Sequence, residues 1–147
     1  MPQVDFYVTE DTDGESRLRL ACRVTEKAYQ AGHRVLVWCR EPGQLAHFDE
    51  LLWTFADHSF VPHESLAATD PAPAAPVILS AGIEPAWTPE VLVNLDTAVP
   101  PLALRAARIV EFIDGDPARR ATGRERFRQY RDQGITPNTH NIGAASL

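Results

Sequence analysis

Six of the chain's arginines fall between positions 119 and 131: Arg119, Arg120, Arg124, Arg126, Arg128 and Arg131. A guanidinium is a planar fork that takes a carboxylate or a phosphate through two parallel bonds. A cluster of them on a helical pattern points to a defined anionic partner, with a solvated helix face as the alternative. Arg120, Arg124, Phe127 and Arg131 lie at i, i+4, i+7 and i+11, one stripe. Arginine beside an aromatic suits an acidic peptide with an aromatic side chain or a free carboxyl end. It also suits a phosphate backbone, so direct nucleic-acid binding through 119–131 is a rival.

A second group that could do chemistry is Asp57, His58, Ser59 and His63. A metal needs three or four converging ligands, and two loop histidines without a cysteine partner do not supply them. No metal site is expected. No G-x-S-x-G elbow accompanies Ser59. A small α/β hydrolase or transferase built on loop 57–63 is therefore a rival without a nucleophile motif, and no catalytic residue is assigned. The glycines form neither G-x-G-x-x-G nor G-x-x-x-x-G-K-[ST], so no nucleotide or other cofactor is expected. A third group is apolar. Trp53 follows Leu52, about 100° round the helix from the stripe Leu45, Phe48, Leu52 and Phe55. With Phe60 and Pro62 it forms either a binding patch or a satellite core under the loop.

The elements that position these residues are legible in the hydrophobic pattern. Val4 to Val8 and Val35 to Cys39 read as strands. Between them, residues 15–31 place Leu18, Ala21, Cys22, Thr25 and Tyr29 on one helix face, and Gly32 fits the stop. Pro42 suits the first turn of a second helix. Further strands are expected at 77–79, 91–95 and 108–113, a short helix after Pro100-Pro101, and a last helix over 117–133 closed by Gly134. Residues 65–76, rich in alanine and proline, read as a flexible loop. The expectation is a single α/β domain over 1–134, a mostly parallel sheet of about five strands with helices on both faces. Residues 135–147 are expected to be a flexible C-terminal tail.

Composition narrows the function classes. The 147 residues are 44% hydrophobic and carry a formal charge of -6. Residues 1–100 hold 15 acids and 6 bases, whereas 101–147 hold 5 acids and 8 bases, all arginine. The chain as a whole is thus poorly suited to wrapping nucleic acid, and its positive charge is local. No apolar run approaches the roughly 20 residues of a membrane span. Cys22 and Cys39 sit in apolar patterns and read as buried thiols of a reducing cytoplasm.

Several blocks recur together in one family: Glu26-Lys27-Ala28-Tyr29 with Gly32-His33-Arg34-Val35, Leu52-Trp53-Thr54-Phe55, Ser59-Phe60-Val61-Pro62-His63, and Arg124-Glu125-Arg126-Phe127 with Tyr130-Arg131. Through them the sequence resembles the chi subunit of bacterial DNA polymerase III holoenzyme, over about residues 4–134. The resemblance implies a non-catalytic α/β domain, similar to nucleotide-binding folds but without the nucleotide site. It implies two partners: the psi subunit, which attaches chi to the clamp loader, and the acidic C-terminal tail of single-stranded-DNA-binding protein. Single-stranded DNA is then met only indirectly. By that resemblance Trp53, Phe60 and Pro62 face psi. Arg124 takes the tail's terminal carboxylate, Phe127 and Ile113 wall the slot for its last aromatic, and Arg128 contacts its aspartates. Phe127 stands where the family often has tyrosine, which keeps the stacking face and loses the hydroxyl.

Overall fold

The computed structural model describes residues 1–66 and 75–142. The chain runs β1 (Gln3–Thr9), α1 (Glu15–Gln30), β2 (Val35–Trp38), α2 (Pro42–Thr54), β3 (His63–Ser65), β4 (Val77–Ser80) and β5 (Val91–Asn94). A single 3₁₀ turn (Ala103–Arg105), β6 (Arg108–Ile113), α3 (Pro117–Asp132) and β7 (Asn138–Ile142) follow. The strands form one sheet in the order β3-β4-β2-β5-β6-β1-β7, and every neighbouring pair is parallel.

The central strands are buried on both faces, which is why they read as unbroken apolar runs. Their side chains alternate between two cores. Val35, Val37, Val91, Val93, Val110 and Phe112 face α1 and α2. Leu36, Trp38, Leu92 and Ile109 face the other way, toward Tyr130 of α3 and Ala103 of the 3₁₀ turn. The helix on 15–31 forms as the periodicity predicts, with Leu18, Ala21, Cys22 and Thr25 buried. Gly32 ends it at φ 87°, where its N–H and that of His33 satisfy the last free carbonyls. Pro42 and Pro117 open α2 and α3, capped by the Glu41 and Asp116 carboxylates. Cys22 and Cys39 are free and buried, and burial pushes both thiols up, that of Cys22 to about 12, so neither is nucleophilic at neutral pH.

Among the described residues the sheet has seven strands rather than about five. The two unanticipated ones are its edges, and neither carries an apolar signal. β3 is His-Glu-Ser, three residues with none fully buried. It falls partly within the stretch read as a flexible loop; residues 67–74 of that stretch lie outside the described residues. β7 is Asn-Thr-His-Asn-Ile and almost wholly exposed. It corrects the expectation of a flexible tail from 135: the sheet continues to Ile142, and residues 143–147 lie outside the described residues. The helix expected after Pro100-Pro101 is only the 3₁₀ turn.

A buried acid attaches β7. Asp5 of β1 accepts from Arg108 Nε at 2.7 Å, His140 Nε2 at 3.0 Å and Asn138 Nδ2 at 3.2 Å. Burial alone would raise this carboxyl, but the bonds from His140 and Arg108 outweigh it and hold it below its ordinary value. A depressed folded-state value means the stabilisation exists above the unfolded pKa and is lost as pH falls through the folded one. Urea unfolding should therefore show a larger loss of stability from about pH 6 to about pH 3 in the wild type than in Asp5→Asn. Equal losses would remove Asp5 as the cause.

Candidate functional site

α3 presents two different faces. Gly123, Arg126 and Tyr130 are buried toward the sheet, whereas Arg124 and Arg128 are exposed. The inward face has a polar centre. Glu111, fully buried in the middle of β6, accepts from Arg126 Nε at 2.9 Å, Asn94 Nδ2 at 2.9 Å and the Tyr130 hydroxyl at 2.7 Å. Arg126 also donates to the carbonyls of Thr97 at 3.0 Å and Phe112 at 3.3 Å. Burial pushes the Glu111 carboxyl up against the pull of Arg126 and its donors, and burial beside Glu111 raises the Tyr130 phenol. Sequence reasoning missed this network. The available signal was Glu111 itself, one acid in the apolar run of β6.

Ion pairs sort the arginine cluster. Arg119 pairs with Asp114 at 2.8 Å, Arg120 with Glu10 at 3.1 Å, Arg126 with Glu111 at 2.9 Å and Arg128 with Glu125 at 2.9 Å. Among the described residues, Arg124 and Arg131 enter no ion pair. A run of six cations thus leaves two uncompensated, which weakens the case for a phosphate-backbone track and suits one compact anionic partner.

The outward face holds an open cavity of about 390 Å³ lined by Arg124, Phe127, Arg128, Arg131 and Asp132. Three of the four residues assigned to tail binding, Arg124, Phe127 and Arg128, therefore share one recess, and Arg131 joins them. The Phe127 ring is half-buried and rests on Phe6, with centroids 5.2 Å apart. It forms an apolar wall backed by Phe6. The fourth residue, Ile113, does not line this cavity. It is half-buried at the end of β6, packed on the same core as Phe127 and pressed against α3 at Gly123.

Gly123 explains how closely α3 lies on the sheet. A methyl group there would stand 2.6 Å from Ile113 Cγ1 and 2.9 Å from Cδ1. Alanine would gain about 1 kcal/mol of helix propensity, yet overpacking costs about 1–3 kcal/mol. Gly123→Ala is expected to lose stability in urea unfolding, because α3 must lift from Ile113. An unchanged or raised midpoint would show that the contact yields freely.

The second region lies around the end of α2. Trp53 and Phe60 are 48% and 67% exposed, with ring centroids 5.7 Å apart. Two large neighbouring aromatics in solvent are the patch alternative of the sequence reading rather than a satellite core. Pro62 is half-buried in the following loop. His63 forms the base of the patch: its ring lies 4.2 Å from Trp53, with Nε2 2.6 Å from Asp49 Oδ1 and Nδ1 2.7 Å from the Val61 carbonyl. The nearby Ser59 hydroxyl bonds to Glu26. Ser59 and His63 are thus engaged with different partners, and the 57–63 loop holds no nucleophile–base pair. Asp57 and His58 are exposed.

The family model for "DNA polymerase III chi subunit, HolC" matches residues 1–138. The chain is 37% identical over 142 residues to the DNA polymerase III subunit chi of Pseudomonas aeruginosa, covering 97% of this chain and 98% of that protein. It is 31% identical to the Escherichia coli subunit chi, covering 95% and 97%, and 28% identical to that of Haemophilus influenzae, covering 94% and 96%. By sequence, the chain belongs to the DNA polymerase III chi subunit family, accessory subunits of the replicative polymerase.

Proposed function

We propose that this subunit acts in the cytoplasm as a non-catalytic bridge. On one side it docks a psi subunit and so joins the clamp loader; on the other it holds the C-terminal tail of single-stranded-DNA-binding protein. The observation that carries the reading is the α3 recess, where the uncompensated Arg124 and Arg131 stand beside the ring of Phe127. An acidic peptide ending in an aromatic residue complements that recess. Its terminal carboxylate pairs with Arg124, its last ring lies on Phe127, and its aspartates meet Arg128 and Arg131. Rim arginines speed encounter and make affinity fall with salt.

The test is a titration with a fluorescent acidic peptide ending in Asp-Phe-Pro-Phe, beside the same peptide with an amidated terminus. Saturable binding that amidation abolishes supports the reading; no binding to either peptide overturns it. The Trp53–Phe60 patch is the proposed psi face, since exposed paired aromatics are the kind of anchor that dominates interfaces. Trp53→Ala should abolish co-purification with psi, at a cost of about 2 kcal/mol or more of binding, with little change in melting temperature. Retained co-purification would move psi elsewhere on the surface.

A further inference from the structure

A second cavity, of about 180 Å³, opens on the other side of α3 at the carboxyl ends of the strands. It is lined by Arg17, Gln44, Asp96, Arg119, Thr122 and Arg126, among others. Its place in the topology matters. β2 and β5 are neighbours, yet the chain leaves β2 into α2 on one face and leaves β5 toward the 3₁₀ turn on the other. Crevices where such connections part are where open α/β sheets hold ligands.

The charges around the cavity do not cancel. Arg119 is matched by Asp114, Arg126 by Glu111, and Asp96 by Arg40 at 3.5 Å. Arg17, in the first turn of α1, is only 8% exposed, and its Nε is buried with no hydrogen-bond partner. Among the described residues it enters no ion pair. A guanidinium in that position bears the desolvation cost of a buried charge with only Asp114, already ion-paired to Arg119, to offset it. Burial accordingly depresses Arg17, with Arg119 and Arg126 adding to the effect and Asp114 opposing it. The α1 N-terminus faces the same end of the sheet and adds positive potential.

We propose that this cavity binds a small oxyanion, phosphate or carboxylate, with the unpartnered Arg17 guanidinium as its counter-charge. No glycine-rich loop is needed, because side chains rather than backbone N–H groups supply the donors. The Gln44 amide offers a neutral donor on the wall, since only its oxygen is engaged, by the Cys39 thiol, and Asp96 opposes a second negative charge, which favours a monoanion.

The experiment follows melting of the full chain in inorganic phosphate against sodium chloride at matched ionic strength, with acetate as a third series. The wild type should show a saturating rise in melting temperature with phosphate beyond that with chloride. Arg17→Met should weaken phosphate at least about tenfold, and Asp96→Asn should tighten it. A response to phosphate alone identifies a tetrahedral ligand, and a response to acetate as well identifies a carboxylate-tolerant site. In the wild type, the Arg17 Nε–H resonance should also shift during the phosphate titration, a readout that does not depend on the folding of any variant. A melting response that follows ionic strength alone, an unshifted Arg17 resonance, or full phosphate affinity in Arg17→Met would each overturn the proposal.

Discussion

Glu111→Gln is expected to lower the free energy of unfolding by about 3–5 kcal/mol, the cost of leaving a buried charge without its partner. For a chain of this size that is a fall in melting temperature of about 10–16 °C. The buried carboxylate receives three donors, from Arg126, Asn94 and Tyr130. Glutamine replaces one acceptor oxygen with a donor, so a donor must face a donor, and the Arg126 charge remains in place. A buried ion pair contributes little net stability against an apolar pair of the same volume, and burial indeed pushes Glu111 up. The asymmetry makes a double variant decisive. Glu111→Leu with Arg126→Leu should cost less than the sum of the two single changes, with a coupling of about 2 kcal/mol. Additive losses in urea unfolding would show that the two groups do not act as a unit.

That network also determines what the sequence could and could not reveal. The five inner strands were legible because most of their side chains must leave water: Val77 to Leu79 and Val91 to Val93 are apolar and buried at consecutive positions. The outer strands were not, because an edge strand needs only backbone bonds on one side and can be polar throughout. β7 is held by the backbone ladder to β1 and by Asn138 and His140 reaching one buried acid. Nothing in the local pattern of Asn-Thr-His-Asn distinguishes that from a loop. Gly134, read as a helix stop, does stop α3 with φ 83°, yet the chain beyond it turns back into the sheet.

The arginine stripe was half legible for a related reason. Spacing alone put Arg124, Phe127 and Arg131 together, and they do share the recess. Spacing could not show that Arg126, inside the same run, points inward and anchors the helix by three different groups. Helical periodicity assigns arginine to the solvent by default, and only a buried acid on another element reverses that. The same default hid Arg17. It lies one position before Leu18 on an amphipathic helix and reads as surface, yet it is 8% exposed and lines the cavity at the strand ends.

On the proposed tail-binding role, Arg124→Ala carries the largest expected effect on affinity. The variant loses at least about 1.5 kcal/mol of peptide binding, the range of a charge-assisted hydrogen bond. That is tenfold or more in Kd. The residue is exposed and, among the described residues, unpaired, so its removal leaves no buried group stranded and the melting temperature should hold. Arg124→Lys keeps the charge but not the two-pronged geometry, and should fall between alanine and wild type. Arg128→Ala should cost less, because that guanidinium already shares its charge with Glu125 at 2.9 Å. Phe127→Ala would weaken both stability and binding, since the ring rests on Phe6, so it cannot separate the two roles. The contrast that decides the assignment is between Arg124 and Arg126. Affinity lost in Arg124→Ala with unchanged melting, set against Glu111→Gln, which unseats Arg126 and lowers melting first, distinguishes a contact from a scaffold. Wild-type affinity in Arg124→Ala would remove Arg124 from the site and take the recess reading with it.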